Sequence, residues 1–123
     1  MPRALSLLQV WIFCLSAAWL FCIAPATAAT VTTASVSAGT DHSCSLMTDG
    51  TVYCWGSNDY GQVGDGTTDR RLSPVRIPSL SGVSAVTAGV QTSCALLGDQ
   101  TISCWGRNDR AQTGNQHQDQ ALS

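Results

Sequence analysis

Apolar residues are spread along this chain in two different ways. Leu5 to Ala24 is an almost unbroken apolar run behind Arg3, closed by Pro25 and the small residues Ala26-Thr27-Ala28. That is the layout of an export signal over residues 1–28, with cleavage expected after Ala28 or, nearly as well, after Ala29. An uncleaved anchor is the alternative reading, since about twenty apolar residues can cross a bilayer. Lipid attachment at Cys14 or Cys22 is disfavoured, because each follows Phe where a lipoprotein signal carries a small residue.

Beyond this leader the apolar positions come in short stretches cut by Gly, Asp and Asn. Val36 to Gly39 leads in, and Ser43 to Met47 and Thr51 to Trp55 read as strands. Between them Thr48-Asp49-Gly50 predicts a three-residue hairpin loop, with Gly50 in the left-handed position. Placing Asp49 at its centre sets Met47 opposite Thr51 and Cys44 opposite Cys54. The stretch from Gly56 to Gly66 is too dense in Gly and Asn for helix or regular strand and predicts a shaped loop. Arg71 to Ile77 reads as a further strand, which Pro74 restricts to an edge or a bulge.

Fifty residues on, the pattern returns. Gly39 reappears as Gly89, Ser43-Cys44 as Ser93-Cys94, Cys54-Trp55-Gly56 as Cys104-Trp105-Gly106, Asn58-Asp59 as Asn108-Asp109, Gln62 as Gln112 and Gly64 as Gly114. Eighteen of the 38 positions from Val36 to Ser73 match their counterparts without a gap. Repetition at this period marks a stacked-sheet architecture rather than a single folded core. The chain divides into a linker over 29–35, a first repeat over 36–80 and a second over 81–123. The second copy stops where the first continues into Pro74-Val75-Arg76, so a truncated gene or a piece of a longer protein is expected. Fewer than two full repeats bury little by themselves, which predicts that the chain associates with itself or with missing repeats.

Composition supports strands and turns. All eight acidic residues are Asp and all six basic ones are Arg, with no Glu or Lys, the residues that usually surface helices. The net charge of −2 offers no basic face for a phosphate backbone, so nucleic acid is not an expected partner. Export also decides the cysteines. Cys44, Cys54, Cys94 and Cys104 remain after the leader is removed, an even number in an oxidising compartment, and disulfides are the natural reading. The hairpin register prefers two local bridges, Cys44–Cys54 and Cys94–Cys104, over the two crossed connectivities. In the second copy Gly98-Asp99-Gln100 puts its glycine first, which leaves the turn type open. Nine-residue gaps, with only His42 and His117 to help, do not suit zinc.

The run from His42 to Gly66, with His-Ser-Cys-Ser-Leu, Asp-Gly-Thr-Val-Tyr-Cys-Trp-Gly and Asn-Asp-Tyr-Gly-Gln-Val-Gly-Asp-Gly, resembles the repeat of the regulator of chromosome condensation family. The motif residues are Gly39, Gly50, Trp55, Gly56, Gln62 and Gly64, then Gly89, Trp105, Gly106, Gln112 and Gly114; the second copy departs with Ala111 for Gly61 and Gln116 for Gly66. Its paired cysteines resemble the exported bacterial branch of that family. The resemblance implies an all-β partial propeller of about two four-stranded antiparallel blades behind a signal helix, and a seven-bladed whole. Kelch and WD repeats fit less well, because no Gly-Gly pair is present and Gly follows each repeat Trp.

Candidate chemistry is sparse. Trp55 and Trp105 recur at the repeat spacing and read as packing residues. His42 has Thr92 as its counterpart and reads as structural, and no Ser lies in a Gly-x-Ser-x-Gly elbow. Asp65-Gly66-Thr67-Thr68-Asp69 carries alternating oxygen ligands, but its counterpart begins with Asn115 and the turn reading is preferred over calcium. No cofactor and no catalytic residue is expected. What varies between copies is the loops, and Tyr60, Arg70, Arg107 and Arg110 are the side chains expected to hold a protein partner. The expected function is a secreted, periplasmic or cell-surface interaction module, free of the membrane once its signal is cleaved. Guanine-nucleotide exchange, implied by the resemblance, and a nonfunctional remnant are the alternatives.

Overall fold

The computed structural model describes residues 29–114; the export segment expected over 1–28 and the tail from residue 115, His117 included, lie outside them. Strands β1 (Thr33–Ala38), β2 (His42–Met47), β3 (Val52–Gly56) and β4 (Arg71–Arg76) form one antiparallel sheet in that order. Strands β5 (Val83–Ala88), β6 (Thr92–Leu97) and β7 (Ile102–Gly106) form a second. Every strand of the second sheet begins and ends fifty residues after its counterpart, and the same bulge falls in β1 between Thr33 and Ser35 as in β5 between Val83 and Ala85. The first strand starts at Thr33, inside the stretch read as a linker. Four strands were expected in each unit, but only three make up the second sheet among the described residues, since the counterpart of β4 would begin at Ala121.

The hairpins show why the register is so well set. Cys44 stands opposite Cys54 and Cys94 opposite Cys104, each pair with Cα atoms 4.1 Å apart and joined by a disulfide. In the first turn the Asp49 carboxylate accepts from the Thr51 amide at 3.0 Å and its hydroxyl at 2.6 Å, while Gly50 takes φ of 79°. The second turn is the same shape. Asp99 binds Thr101 in the same way, and Gln100 is held at φ of 71° without a glycine's freedom. The position of Gly98 is therefore no guide to the turn; the Asp-x-Thr hydrogen bonds are.

Strand β4 is the outer edge. Tyr53 and Cys54 pair with Arg76 and Val75, Gly56 pairs with Arg71, and residues Leu72, Ser73 and Pro74 arch out opposite Trp55. Pro74, which has no amide proton to donate, sits in this arch.

The core lies between the sheets rather than within either one. Alternation along β2 and β3 turns His42, Cys44, Leu46, Val52 and Cys54 toward the second repeat, where all five are buried. Alternation along β6 and β7 turns Ser93, Ala95 and Trp105 back toward the first, and they too are buried. Val63, Ile77, Leu80 and Val83 complete the cluster, with Val75 and Val86 packed at its margin. The backbone closes the far end of the junction, where the Val83 amide donates to the Gly50 carbonyl.

Candidate interaction surface

Antiparallel pairing places both ends of the segment 57–70 at one end of the first sheet, because Gly56 leaves β3 opposite Arg71 at the start of β4. The loop beginning at Arg107 leaves β7 at the same end of the second sheet, opposite Thr92. Tyr60, Arg70, Arg107 and Arg110 therefore share one loop-bearing end of the protein.

A buried amide gives the first loop its shape. The Asn58 side chain donates to the carbonyls of Thr67 and Asp69, both at 2.9 Å, and its oxygen accepts from the Val63 amide at 2.9 Å. Gln62 folds back so that its Oε1 accepts from the Tyr60 amide. Asp65 is clasped by Thr67, Asn58 and Arg71. Burial pushes its carboxyl pKa up, but the hydrogen bonds from Thr67 and Arg71 outweigh this and hold it below the ordinary carboxylate range. With its oxygens engaged in this way, Asp65 serves the turn. The second loop repeats the plan through Asn108, whose side-chain oxygen accepts from the Thr113 amide, and Gln112, whose Oε1 accepts from the Arg110 amide. Ala111 adopts φ of 56° where Gly61 has 73°.

The two loops meet. The Arg107 guanidinium lies over the Tyr60 ring, 5.1 Å from its centroid, so a cation–π contact joins one repeat to the next. Arg107 also donates to Asp109 and, at 2.7 Å, to Gln91. Its hydrogen bonds to Asp109 raise its pKa further, and those from Arg107 and Gln112 lower that of Asp109. Arg110 is exposed and lines a cleft of about 260 Å³ together with Val90, Thr92, Arg107, Asp109 and Gln112. Arg70 is exposed on the strap that leads into β4, apart from this cluster.

Beneath the loops a chain of hydrogen bonds crosses the junction. The Trp105 indole N–H donates to the Gln62 carbonyl at 3.0 Å, and the Ser93 hydroxyl donates to the same oxygen at 2.8 Å. Since the hydroxyl proton is committed there, Ser93 Oγ accepts from His42 Nε2 at 2.8 Å, and the imidazole is the Nε2–H tautomer. Among the described residues its buried Nδ1 has no hydrogen-bond partner. Burial lowers the pKa of His42, outweighing the opposite pull of Asp41. A Ser and a His at this distance suggest a nucleophile and its base, but the proton runs the wrong way and both side chains are buried. The pair is a clamp.

Ser93 is the residue that sequence reasoning missed, although its recurrence as Ser43 and Ser93 was the signal. Of the expected packing tryptophans, Trp105 is fully buried and Trp55 half-buried.

Comparison with known proteins identifies the repeat. Two models of the regulator of chromosome condensation (RCC1) repeat match, one over residues 49–96 and the other twice, over 34–62 and 83–112. Over 34 residues the chain is 53% identical to the E3 ubiquitin-protein ligase HERC2 of Homo sapiens, and equally to that of Mus musculus; this is 28% of the chain and 1% of the ligase. Yeast RCC1 (Prp20), whose structure was solved bound to Kap60, superposes with a TM-score of 0.69 at 24% identity over 79% of this chain and 25% of that one. Human WBSCR16 superposes with a TM-score of 0.63 at 26% identity over the same shares. The chain thus spans about a quarter of these structures and a far smaller part of the ligase.

Proposed function

Because the chain belongs to the regulator of chromosome condensation (RCC1) repeat family, we propose that it is an exported, non-catalytic binding module that holds a protein partner at its loop-bearing end. The contact of Tyr60 with Arg107 carries this reading. It gathers side chains from two repeats beside the exposed Arg110, at positions where the repeats differ while Asn58, Gln62 and Gly64 recur as Asn108, Gln112 and Gly114. Tyr and Arg are the side chains that most often anchor protein interfaces. Yeast RCC1, which shares the fold, is itself bound to a protein, Kap60. Export is supported by the apolar leader and by two disulfides that close within single hairpins.

Affinity capture from the extracellular fluid of the producing organism tests it, using the wild-type chain beside a variant with Tyr60, Arg70, Arg107 and Arg110 replaced by Ala. Proteins retained by the wild type and lost by the variant are the expected result. Equal retention by both would remove these loops from recognition. Accelerated nucleotide release from a small GTPase would favour exchange activity instead.

A further inference from the structure

The hydrogen bonds that cross the junction between the repeats are matched only while one imidazole stays neutral. His42 is 3% exposed, and its Nε2 proton goes to the Ser93 hydroxyl, whose own proton goes to the Gln62 carbonyl. Of the side chains in this buried chain, His42 is the one that titrates near neutral pH. A second proton would have to sit on Nδ1, which has no partner among the described residues. Backbone covers that edge of the ring. A methyl group on Gly39 would lie 2.9 Å from Nδ1 and would also strike the Gly89 carbonyl, so two turns pack where an acceptor would have to stand.

Little else near the ring favours its charged form. From β6 it meets Ser93, from β3 Gly56, and from the turns before β2 and β6 Gly39 and, beyond it, Gly89; none of these titrates. Burial pushes the His42 pKa down, and the charge of Asp41, exposed on the turn before β2, pulls it up less. Closed, the junction excludes the proton; parted, it lets the ring meet water and take the proton up.

We propose that His42 is an acid-operated latch: on acidification the two repeats part at their junction while each hairpin stays folded. The hairpins stay closed because each is laddered and disulfide-bonded within itself, Cys44 to Cys54 in one and Cys94 to Cys104 in the other. What breaks is the set of bonds that run between repeats, from the Val83 amide to the Gly50 carbonyl, the Ala88 amide to the Ser37 hydroxyl and the Trp105 indole to the Gln62 carbonyl. Arg107 leaves Tyr60 in the same step. A partner that grips both loops is then released in acid, a consequence that rests on the binding proposed above; the parting itself does not.

Hydrogen exchange of the disulfide-bonded chain tests the latch without a partner, followed by nuclear magnetic resonance at about pH 7 and about pH 5, each rate divided by the intrinsic rate at that pH. Protection of the Val83 and Ala88 amides and of the Trp105 indole should fall about tenfold, because the parted form gains a proton at the ordinary imidazole pKa of about 6.5 and the closed form resists it. The Met47 and Leu97 amides, bonded to the Thr51 and Thr101 carbonyls within the hairpins, should keep theirs. His42→Gln, uncharged throughout and still a donor toward Ser93, should abolish the fall. So should His42→Thr, which installs the residue that the second repeat carries as Thr92. No fall in the wild type, an equal fall at Met47 and Leu97, or a fall that survives in either variant overturns the proposal.

Discussion

Gly64 and Gly114 offer a controlled comparison within one molecule. Both adopt φ of 81°, so Gly64→Ala and Gly114→Ala force alanine into the same left-handed conformation, at a cost of about 1–2 kcal/mol each. Their surroundings differ. The added methyl at Gly64 would lie 2.5 Å from Trp105 Nε1 and 2.9 Å from two further ring atoms. That indole is fully buried and hydrogen-bonded to the Gln62 carbonyl, so it has little room to yield. Overpacking of this kind costs about 1–3 kcal/mol, and a hydrogen bond lost in relieving it about 1 kcal/mol more. Gly64→Ala should therefore cost about 2–6 kcal/mol and Gly114→Ala only about 1–2 kcal/mol. Urea unfolding followed by tryptophan fluorescence and circular dichroism measures the difference. Equal losses at the two glycines would refute the placement of Trp105 on the loop of the preceding repeat.

Three further outcomes are expected. Ser93→Ala leaves the His42 Nε2 proton buried without an acceptor and should cost about 1–3 kcal/mol in the same unfolding experiment, whereas Ser43→Ala, at a half-buried position, should cost far less. Stability should rise with pH through the mildly acidic range and level off near pH 6.5. Unfolded His42 takes up a proton below about that pH while the folded residue resists it, so the unfolded state binds more protons there. The same rise persisting in His42→Phe would refute that assignment; the depressed aspartates act at lower pH. Dilute dithiothreitol should open Cys94–Cys104 before Cys44–Cys54, by about tenfold or more in rate, because the first repeat's sulfurs are reached only by parting the junction. Peptide mapping after timed alkylation that found equal rates would count against a closed junction.

Much of the architecture was legible because a repeat states its own alignment. An offset of fifty residues predicts equivalent strands, and the turn Thr48-Asp49-Gly50 alone sets Cys44 against Cys54. The loops at Gly56 to Gly66 and the edge character of β4 followed from backbone chemistry at Gly, Asn and Pro74. Two features were hidden, one by local side-chain chemistry and one by a contact that no single repeat contains. The turn at Gln100 depends on side-chain hydrogen bonds from Thr101 to Asp99 rather than on a glycine. The clamp at His42 joins a residue found in one copy only to Ser93 in the other, so neither repeat alone announces it. Among the side chains expected at a binding surface, the sequence grouped Tyr60, Arg70, Arg107 and Arg110 by variability. Strand direction set all four at one end, but only Tyr60, Arg107 and Arg110 cluster.

The two copies of one motif have different environments, and that difference identifies what stabilises the protein. Val52 and Ile102 occupy the same place in the same hairpin, yet one is enclosed and the other exposed, so the hairpin does not bury its own apolar face. Each disulfide constrains the unfolded chain by about 2.5–3 kcal/mol on loop-entropy grounds, but as a covalent link it holds only a hairpin. Docking falls to the junction, where Trp105 and Ser93 both donate to the Gln62 carbonyl and His42 donates to Ser93. The Tyr60–Arg107 contact sits directly above that junction and exists only while it is closed. Folding and recognition are therefore coupled at the same place: whatever strengthens the seat of Trp105 also sets the spacing of the loops above it, and a partner that grips both loops stabilises the docked repeats by mass action.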